Sequence, residues 1–312
     1  MTILLFLILL AQGSDSQQVC APALAKAYSA PPEIVNDSSL KGCDAVAAYY
    51  GLNGKADPLR CGLYERAHPD PSHGGPFYGV GVLSMIYANG KGVARDYNLA
   101  IRFTCENTFA APAEIEGRIA HLEKLRDSGA SSAKFDLCDD ATSGLTMGAC
   151  ASIQQSFADA KRTRHLEAIT ARFSAAAKQA LPALRAAEKR FDDARARNEV
   201  DLSGSGRGAF ELEEEGRLKD QFLINLQRFS KGDIPPAAAL DAQLDAALRK
   251  ATSQSATGTV TADGIRKTEE AWIALREQWI AFARIAWPSL SAERVRAQLN
   301  RLRIHQLRSL VI

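Results

Sequence analysis

The sequence predicts an all-α protein in which disulfide-braced helical hairpins are followed by an α-helical bundle. Apolar residues recur at spacings of three and four along most of the chain, which is the period of helices that bury one face. The chain contains six cysteines, and all of them precede residue 151. Disulfides can therefore brace only the first half, and the second half has to be held together by helix packing.

The clearest helical pattern runs from residue 261 to residue 287. Its apolar positions form one stripe on a helix: Ile265, Thr268, Trp272, Leu275, Trp279, Phe282 and Ala286. We expect Asp263 to cap the start of this helix and Pro288 to end it. Because two indole side chains a heptad apart offer a large area to bury, this helix is predicted to lie at the centre of the bundle.

An unbroken apolar run from Ile3 to Ala11 opens the chain. It is too short to span a bilayer and has the length of a secretory signal, so we assign residues 1–13 to a signal peptide cleaved after Gly13. No Lys or Arg precedes the run, so either the start amine alone supplies the positive charge or the true start lies upstream. We predict a periplasmic or secreted protein without a lipid anchor, because the residue before Cys20 is not small.

Length and charge limit the domain number and the class of partner. The 312 residues suit two domains, which we place at residues 14–133 and 134–312. An apolar content of 46% and a charged content of 24% are typical of soluble globular proteins, so no membrane span is predicted in the mature chain. A net charge of +2 predicts no polyanionic partner such as nucleic acid. The oligomeric state is not indicated.

The cysteines favour disulfides over a metal or redox site, because no Cys-x-x-Cys pair and no histidine cluster accompanies them. Cys138 and Cys150 bracket a short polar turn, and we predict that they are bonded to each other. The remaining four allow three pairings: Cys20, Cys43, Cys61 and Cys105. Helical turns place Cys43 opposite either Cys20 or Cys61. We favour Cys20–Cys43 together with Cys61–Cys105.

The region between residues 76 and 107 has the most distinctive local pattern. Two apolar helices are predicted on either side of a tight glycine-containing turn, with Asp96 as the cap of the second helix. The pattern closely resembles a Sel-like repeat, the helix–turn–helix module related to tetratricopeptide repeats. The matching positions are Tyr87, Gly90, Gly92, Val93, Asp96 and Ala100. This resemblance implies a repeat domain over residues 14–133, and a scaffold or adaptor role in which that domain holds another envelope protein.

A second resemblance covers about residues 135–310. A cysteine, a short polar turn and a second cysteine at the start of a helix resemble the opening of the LprI-type lysozyme-inhibitor family. The tryptophan helix is similar to a later helix of that family, with Glu269 replacing the commoner Gln. The matching positions are Ile265, Glu269, Trp272 and Arg276. A further cysteine of that family is absent here. The resemblance implies a helical bundle over residues 134–312 and the inhibition of lysozyme.

A repeated sequence pattern, called here the internal echo, indicates a duplicated helical unit in the second half. Five residues, Leu184, Arg185, Glu188, Phe191 and Arg195, recur 81 positions later as Ile265, Arg266, Glu269, Trp272 and Arg276. Three identities and two conservative exchanges in phase favour duplication over chance.

No constellation typical of a catalytic, metal or cofactor site emerges, since the histidines are scattered and no nucleophile is paired with a base. The acidic run between residues 211 and 215 is predicted to be a solvated helix face. We therefore expect an exported, non-catalytic binding protein of the bacterial envelope with a protein partner, which the second resemblance implies to be lysozyme. An envelope hydrolase is the less favoured alternative. Asp139 and Asp140 are the candidate binding residues, because a cross-linked acidic turn loses little freedom on binding.

Overall fold

A computed structural model describes residues 15–52, 56–70, 74–129, 132–236, 238–254 and 258–311. Within these residues the protein is all-helical, with thirteen α-helices and no strand. The predicted signal peptide, residues 1–13, lies outside the described residues. Among the described helices, none combines the length and the apolar character needed to cross a membrane.

The chain divides into two compact units, called here the N-terminal unit (residues 1–149) and the C-terminal unit (residues 150–312). The N-terminal unit contains α1 (Asp15–Leu24), α2 (Pro32–Val35), α3 (Ala45–Tyr50), α4 (Pro58–Ala67), α5 (Val80–Asn89), α6 (Tyr97–Cys105) and α7 (Pro112–Ser128). The division falls inside α8 (Gly144–Thr170). The C-terminal unit continues with α9 (Ala175–Asn198), α10 (Arg207–Lys231), α11 (Asp241–Gln254), α12 (Ala262–Ala286) and α13 (Ala292–Arg308).

Helices α5 and α6 form the hairpin at the core of the N-terminal unit. Gly90 ends α5 with a φ of +65°, a conformation that costs little without a Cβ. Asp96 caps α6 by accepting hydrogen bonds from the N–H groups of residues 98 and 99. Ala100 is completely buried, and the Ser84 hydroxyl donates to its carbonyl oxygen at 3.0 Å. The small side chain at position 100 therefore lets the two helices approach closely.

A buried glutamate on α7 organises the start of α8. The carboxylate of Glu114, which has no exposed surface, accepts the N–H groups of Thr142 and Ser143 at 2.8 and 2.6 Å and the Thr146 hydroxyl at 2.9 Å. These bonds, together with buried Phe135, attach residues 135–149 to the N-terminal unit. The division in the structure consequently lies C-terminal to residue 134, where the sequence places the domain boundary.

The disulfides differ from the favoured pairing. Cys20 is bonded to Cys105, with their Cα atoms 5.4 Å apart, and both Cys43 and Cys61 are free thiols. The predicted Cys20–Cys43 and Cys61–Cys105 bonds are therefore wrong. The reason is tertiary, since α1 packs against α6 and brings Cys20 to the C-terminal end of that helix. The second disulfide of the structure involves Cys138 and Cys150.

Helix α12 lies at the centre of the C-terminal unit, packed mainly against α9 and also against α11 and α13. Trp279, which is 1% exposed, contacts the rings of Phe222 and Phe229, both with centroids 5.1 Å away. The predicted cap of α12 is wrong. The Thr261 hydroxyl accepts the Gly264 N–H at 3.0 Å, while Asp263 pairs with an arginine in the first turn.

The break between α8 and α9 does not coincide with Pro182, the proline of this region. Residues 171–174 separate α8 from α9, and Pro182 lies inside α9. Ser174 caps α9 by accepting the Ala177 N–H at 3.2 Å. The ring of Phe173 packs between the rings of Phe282 and Trp287, with centroid distances of 5.7 and 5.9 Å. These contacts fix the position of the segment between α8 and α9. The packing of α9 against α12 compensates for the backbone donor that Pro182 removes.

A buried ionic network joins α9, α10, α12 and α13. The Arg303 guanidinium, without exposed surface, donates to both oxygens of Glu199 at 2.8 and 2.6 Å and to Glu269 at 2.9 Å. Arg195 also pairs with Glu199 and reaches Glu214 at 2.5 Å. Glu214 belongs to the acidic run that the sequence predicts to be solvated, so that prediction is wrong for this residue.

Candidate binding groove

The C-terminal unit contains an open groove of about 910 Å³ between the end of α8, the first half of α9 and the middle of α10. Leu166, Leu181 and Phe222 supply one apolar side chain from each of these helices. Charged residues of both signs complete the lining: Asp159, Arg162, Glu167, Lys178, Arg185, Glu188, Lys189, Asp192, Asp193, Glu215 and Lys219. An apolar floor with convergent polar groups is the usual character of a ligand site.

A clamp of ion pairs holds α8 against α10 at one edge of the groove. The Arg162 guanidinium donates to both oxygens of Asp220 at 2.8 Å, to Asp159 at 2.9 Å and to the carbonyl oxygen of Gly216 at 2.9 Å. Lys219 on α10 donates to the other oxygen of Asp159 at 2.9 Å. These ion pairs connect α8 to α10 along one edge of the groove.

Two carboxyl groups on α9 enter the groove from its inner wall. Glu188 and Asp192 lie one helical turn apart and are only 8% and 7% exposed. In the described part of the chain, neither carboxyl group has a hydrogen bond or an ion pair. Buried carboxylates are normally paired, because an isolated buried charge is costly. An unpaired pair of this kind at a cavity is a feature of sites whose partner comes from outside.

The pKa of each of these carboxyl groups is raised. Burial raises the pKa of Glu188 to about 9, the negative charge of Asp192 adds to the shift, and Arg185 and Lys219 partly oppose it. Burial likewise raises the pKa of Asp192 to about 7, with further contributions from Asp193 and Glu215. Near neutral pH, Glu188 therefore keeps its proton in the free chain, and Asp192 is close to half ionised.

The internal echo pairs Glu188 with a glutamate that has an arginine partner. Glu269, its counterpart on α12, is bonded to the guanidinium of Arg303 at 2.9 Å. Glu188 has the same place in the repeated pattern on α9. Its carboxyl group faces the groove, however, and is not bonded to an arginine side chain. The two glutamates therefore share a place in the sequence pattern, but only Glu269 has an arginine partner among the described residues.

The residues singled out for the tryptophan helix have structural positions. Ile265 and Trp272 are buried, and the Arg276 guanidinium lies over the Trp272 ring at 4.8 Å from its centroid. Glu269 belongs to the buried ionic network. Trp272 reaches the groove region only through a small cavity of about 40 Å³ that it shares with Glu188. These four residues hold the bundle together and do not converge on the groove.

The acidic turn lies in the N-terminal unit, and its carboxylates already have partners. Asp140 is 2.9 Å from Nδ1 of His121, and Asp139 accepts the Asp136 N–H at 3.3 Å. Asp139 is nevertheless exposed. The residues of the Sel-like pattern likewise serve the α5–α6 hairpin: Tyr87, Gly90, Gly92, Val93, Asp96 and Ala100. The predicted site residues are thus distributed over both units.

Asp192 is not among the site residues that the sequence predicts, and Glu188 belongs to the sequence prediction only as a member of the internal echo. The spacing of Glu188 from its apolar neighbours is the sequence signal for its position, because Glu188 follows Leu184 by four positions and precedes Phe191 by three. Those spacings place a carboxyl group inside the apolar stripe of α9. Among the described residues, no three His, Cys, Asp or Glu side chains are arranged to hold a metal ion.

No family model, no curated protein and no solved structure matches this chain. Both resemblances therefore depend on the motif residues alone. The function has to be inferred from the geometry and chemistry of the groove.

Proposed function

We propose that this chain is an exported, non-catalytic binding protein of the bacterial envelope, and that its groove receives a basic side chain of a protein partner. The observation that carries the proposal is the pair of buried, unpartnered carboxyl groups of Glu188 and Asp192 at the inner wall of the groove. A cation placed between them would supply the direct ion-pair partner that neither carboxyl group has among the described residues.

The echo favours a guanidinium over other cations. The carboxylate at the equivalent position, Glu269, is satisfied by an arginine from a neighbouring helix. A planar guanidinium offers several donors at once and is more weakly hydrated than an ammonium group, so it suits a buried carboxyl pair. Leu166, Leu181 and Phe222 would pack against the aliphatic part of such a side chain.

The mixed charges at the rim suit recognition of a folded surface. Basic residues such as Lys178 and Lys189 alternate with acidic ones such as Glu167 and Glu215. This alternation gives no strong long-range attraction, and specificity would come from shape and from pairing inside the groove.

Lysozyme is the partner that the resemblance to the LprI-type inhibitors implies. Lysozymes have basic outer surfaces and a catalytic cleft lined by carboxylates. The acidic inner wall of the groove suits the basic surface, and the exposed, cross-linked turn at Asp139 suits insertion into a cleft. The groove is the better candidate, because Glu188 and Asp192 have no ion-pair partner among the described residues, whereas Asp140 already pairs with His121.

The alternative is a scaffold or adaptor role in which the Sel-like hairpin region of the N-terminal unit holds another envelope protein. It rests on the close α5–α6 packing at Ala100 and on the motif that surrounds it. Binding of a partner that is unchanged by substitutions in the groove would favour this alternative.

An inhibition assay separates these possibilities. The chain without residues 1–13 is titrated against lysozyme acting on cell-wall substrate, and we expect inhibition at micromolar excess. Joint Glu188→Gln and Asp192→Asn exchange is expected to weaken inhibition by about 30-fold or more, the effect of losing one buried charge pair. Glu213→Gln changes an exposed carboxylate on α10 outside the groove and is expected to have no effect.

The same assay also tests the acidic turn that carries Asp139 and Asp140. Joint Asp139→Ala and Asp140→Ala exchange is expected to leave most of the inhibition intact, and a large loss would move the binding site to the turn. An absence of inhibition by the unaltered chain would contradict the inhibitor proposal and leave the adaptor role, which a pull-down from envelope extract then tests.

A further inference from the structure

The two free cysteines lie side by side in the N-terminal unit. Cys61 is on α4 and is 1% exposed, whereas Cys43 precedes α3 and is partly exposed. Their thiols are hydrogen-bonded to each other, with Cys61 donating to Cys43. Two neighbouring thiols that interact in this way need only small side-chain rotations to reach bonding distance.

Contacts on both sides of the cysteines hold the two segments together. Arg60, one residue before Cys61, pairs with Asp37 at 2.7 Å. Glu65, one turn after Cys61, accepts the Ala45 N–H at 2.9 Å. The segment that carries Cys43 is therefore attached to α4 before and after the cysteine. The proximity of the thiols is a property of the packing and not of one side-chain rotamer.

We propose that Cys43 and Cys61 form a dithiol that closes to a third disulfide by exchange with a disulfide oxidant such as oxidised glutathione. The Cys43 thiolate attacks one sulfur of the oxidant, forming a mixed disulfide and releasing one glutathione as a thiol. Cys61 then loses its proton and attacks the sulfur of Cys43, releasing the second glutathione. Two electrons and two protons pass from the pair to the oxidant, which leaves as two thiols.

The environment sets the order of the two attacks. Cys43 is the thiol that an oxidant can reach, and the hydrogen bond from Cys61 favours its thiolate. Burial raises the pKa of both thiols, and for Cys61 the hydrogen bond to Cys43 raises it further. Since the thiolate is the nucleophile, closure is expected to be slow near neutral pH and faster as pH rises.

Non-reducing peptide mapping of the chain without residues 1–13 tests this proposal. After treatment with oxidised glutathione, we expect a peptide linking Cys43 to Cys61, no free thiol in the denatured protein and no retained glutathione. Cys61→Ser is expected to stop at the mixed disulfide and keep one glutathione on Cys43. Cys43→Ser is expected to keep Cys61 as an unmodified thiol, because no entry point remains.

Closure also has a physical signature that is independent of the variants. The new bond is expected to raise the Tm of the N-terminal unit by about 5–10 °C, since it shortens the loops of the unfolded chain. A wild-type chain that keeps two free thiols, or that ends with glutathione on Cys43, would overturn the proposal. Retention of the Cys20–Cys105 bond in the same map confirms that the fold was intact.

Discussion

Replacing Arg303 by alanine is expected to destabilise the C-terminal unit by about 3–5 kcal/mol, the range for breaking a buried ion pair from one side. The guanidinium is fully buried and is the only cation bonded to Glu269 in the described part of the chain. Its removal leaves Glu269 without its hydrogen-bonded counter-charge and deprives Glu199 of two hydrogen bonds. Denaturant unfolding monitored by tryptophan fluorescence measures the loss, because the three tryptophans lie in α12 or directly after it.

Arg308→Ala is the matched control, since Arg308 lies at the exposed end of the same helix. Its effect is expected to stay within about 0.5 kcal/mol. Equal losses for the two variants would show that the ionic network is not buried in solution.

Trp279→Ala is expected to cost about 3–5 kcal/mol, the range for deleting a large buried aromatic side chain. The indole is 1% exposed and touches Phe222, Phe229 and Phe282. Its loss would open a cavity between α10 and α12 that the surrounding rings cannot fill without moving.

Trp287→Ala supplies the comparison, because that ring is half-buried and lies directly before the proline that ends the pattern. Its cost is expected to be clearly smaller, and thermal or denaturant unfolding of both variants measures the difference. Small and equal losses would contradict the central position of α12.

Local signals are enough to predict the α5–α6 hairpin and helix α12. The cap at Asp96, the turn glycine at Gly90 and the apolar stripe of α12 are all set by residues within one or two helical turns. The sequence predicts the cap of α12 two positions too late, because Thr261 and Asp263 are both good caps and only the packed helix distinguishes them.

Nonlocal packing decided the features that sequence could not predict. The Cys20–Cys105 bond requires α1 to lie against α6, and no residue near either cysteine specifies that contact. Pro182 is tolerated inside α9 because the packing of α9 along α12 outweighs the tendency of proline to interrupt a helix. The groove is the clearest case, since Glu188 and Glu269 share a sequence pattern. What differs is the neighbour: α13 brings Arg303 to Glu269, whereas the groove lies beside Glu188.

The raised pKa values of the groove carboxyl groups predict a pH-dependent affinity. A basic side chain binds an ionised carboxylate better than a protonated one, so binding must lower the pKa of Glu188 from about 9 and of Asp192 from about 7. By linkage, affinity for a basic partner increases as pH rises through these values and levels off above about pH 9. The stability of the free C-terminal unit changes in the opposite direction, because a raised carboxyl pKa loses its contribution as pH rises.

Calorimetric titration of the chain with lysozyme between about pH 6 and about pH 9, for wild type and Glu188→Gln, tests the central claim most directly. We predict that the Kd of wild type falls across this range, and that Glu188→Gln binds more weakly at the upper end and depends less on pH. Comparing the two proteins cancels the titration of lysozyme itself. Identical affinities and identical pH profiles for wild type and Glu188→Gln would contradict the assignment of the groove as the binding site.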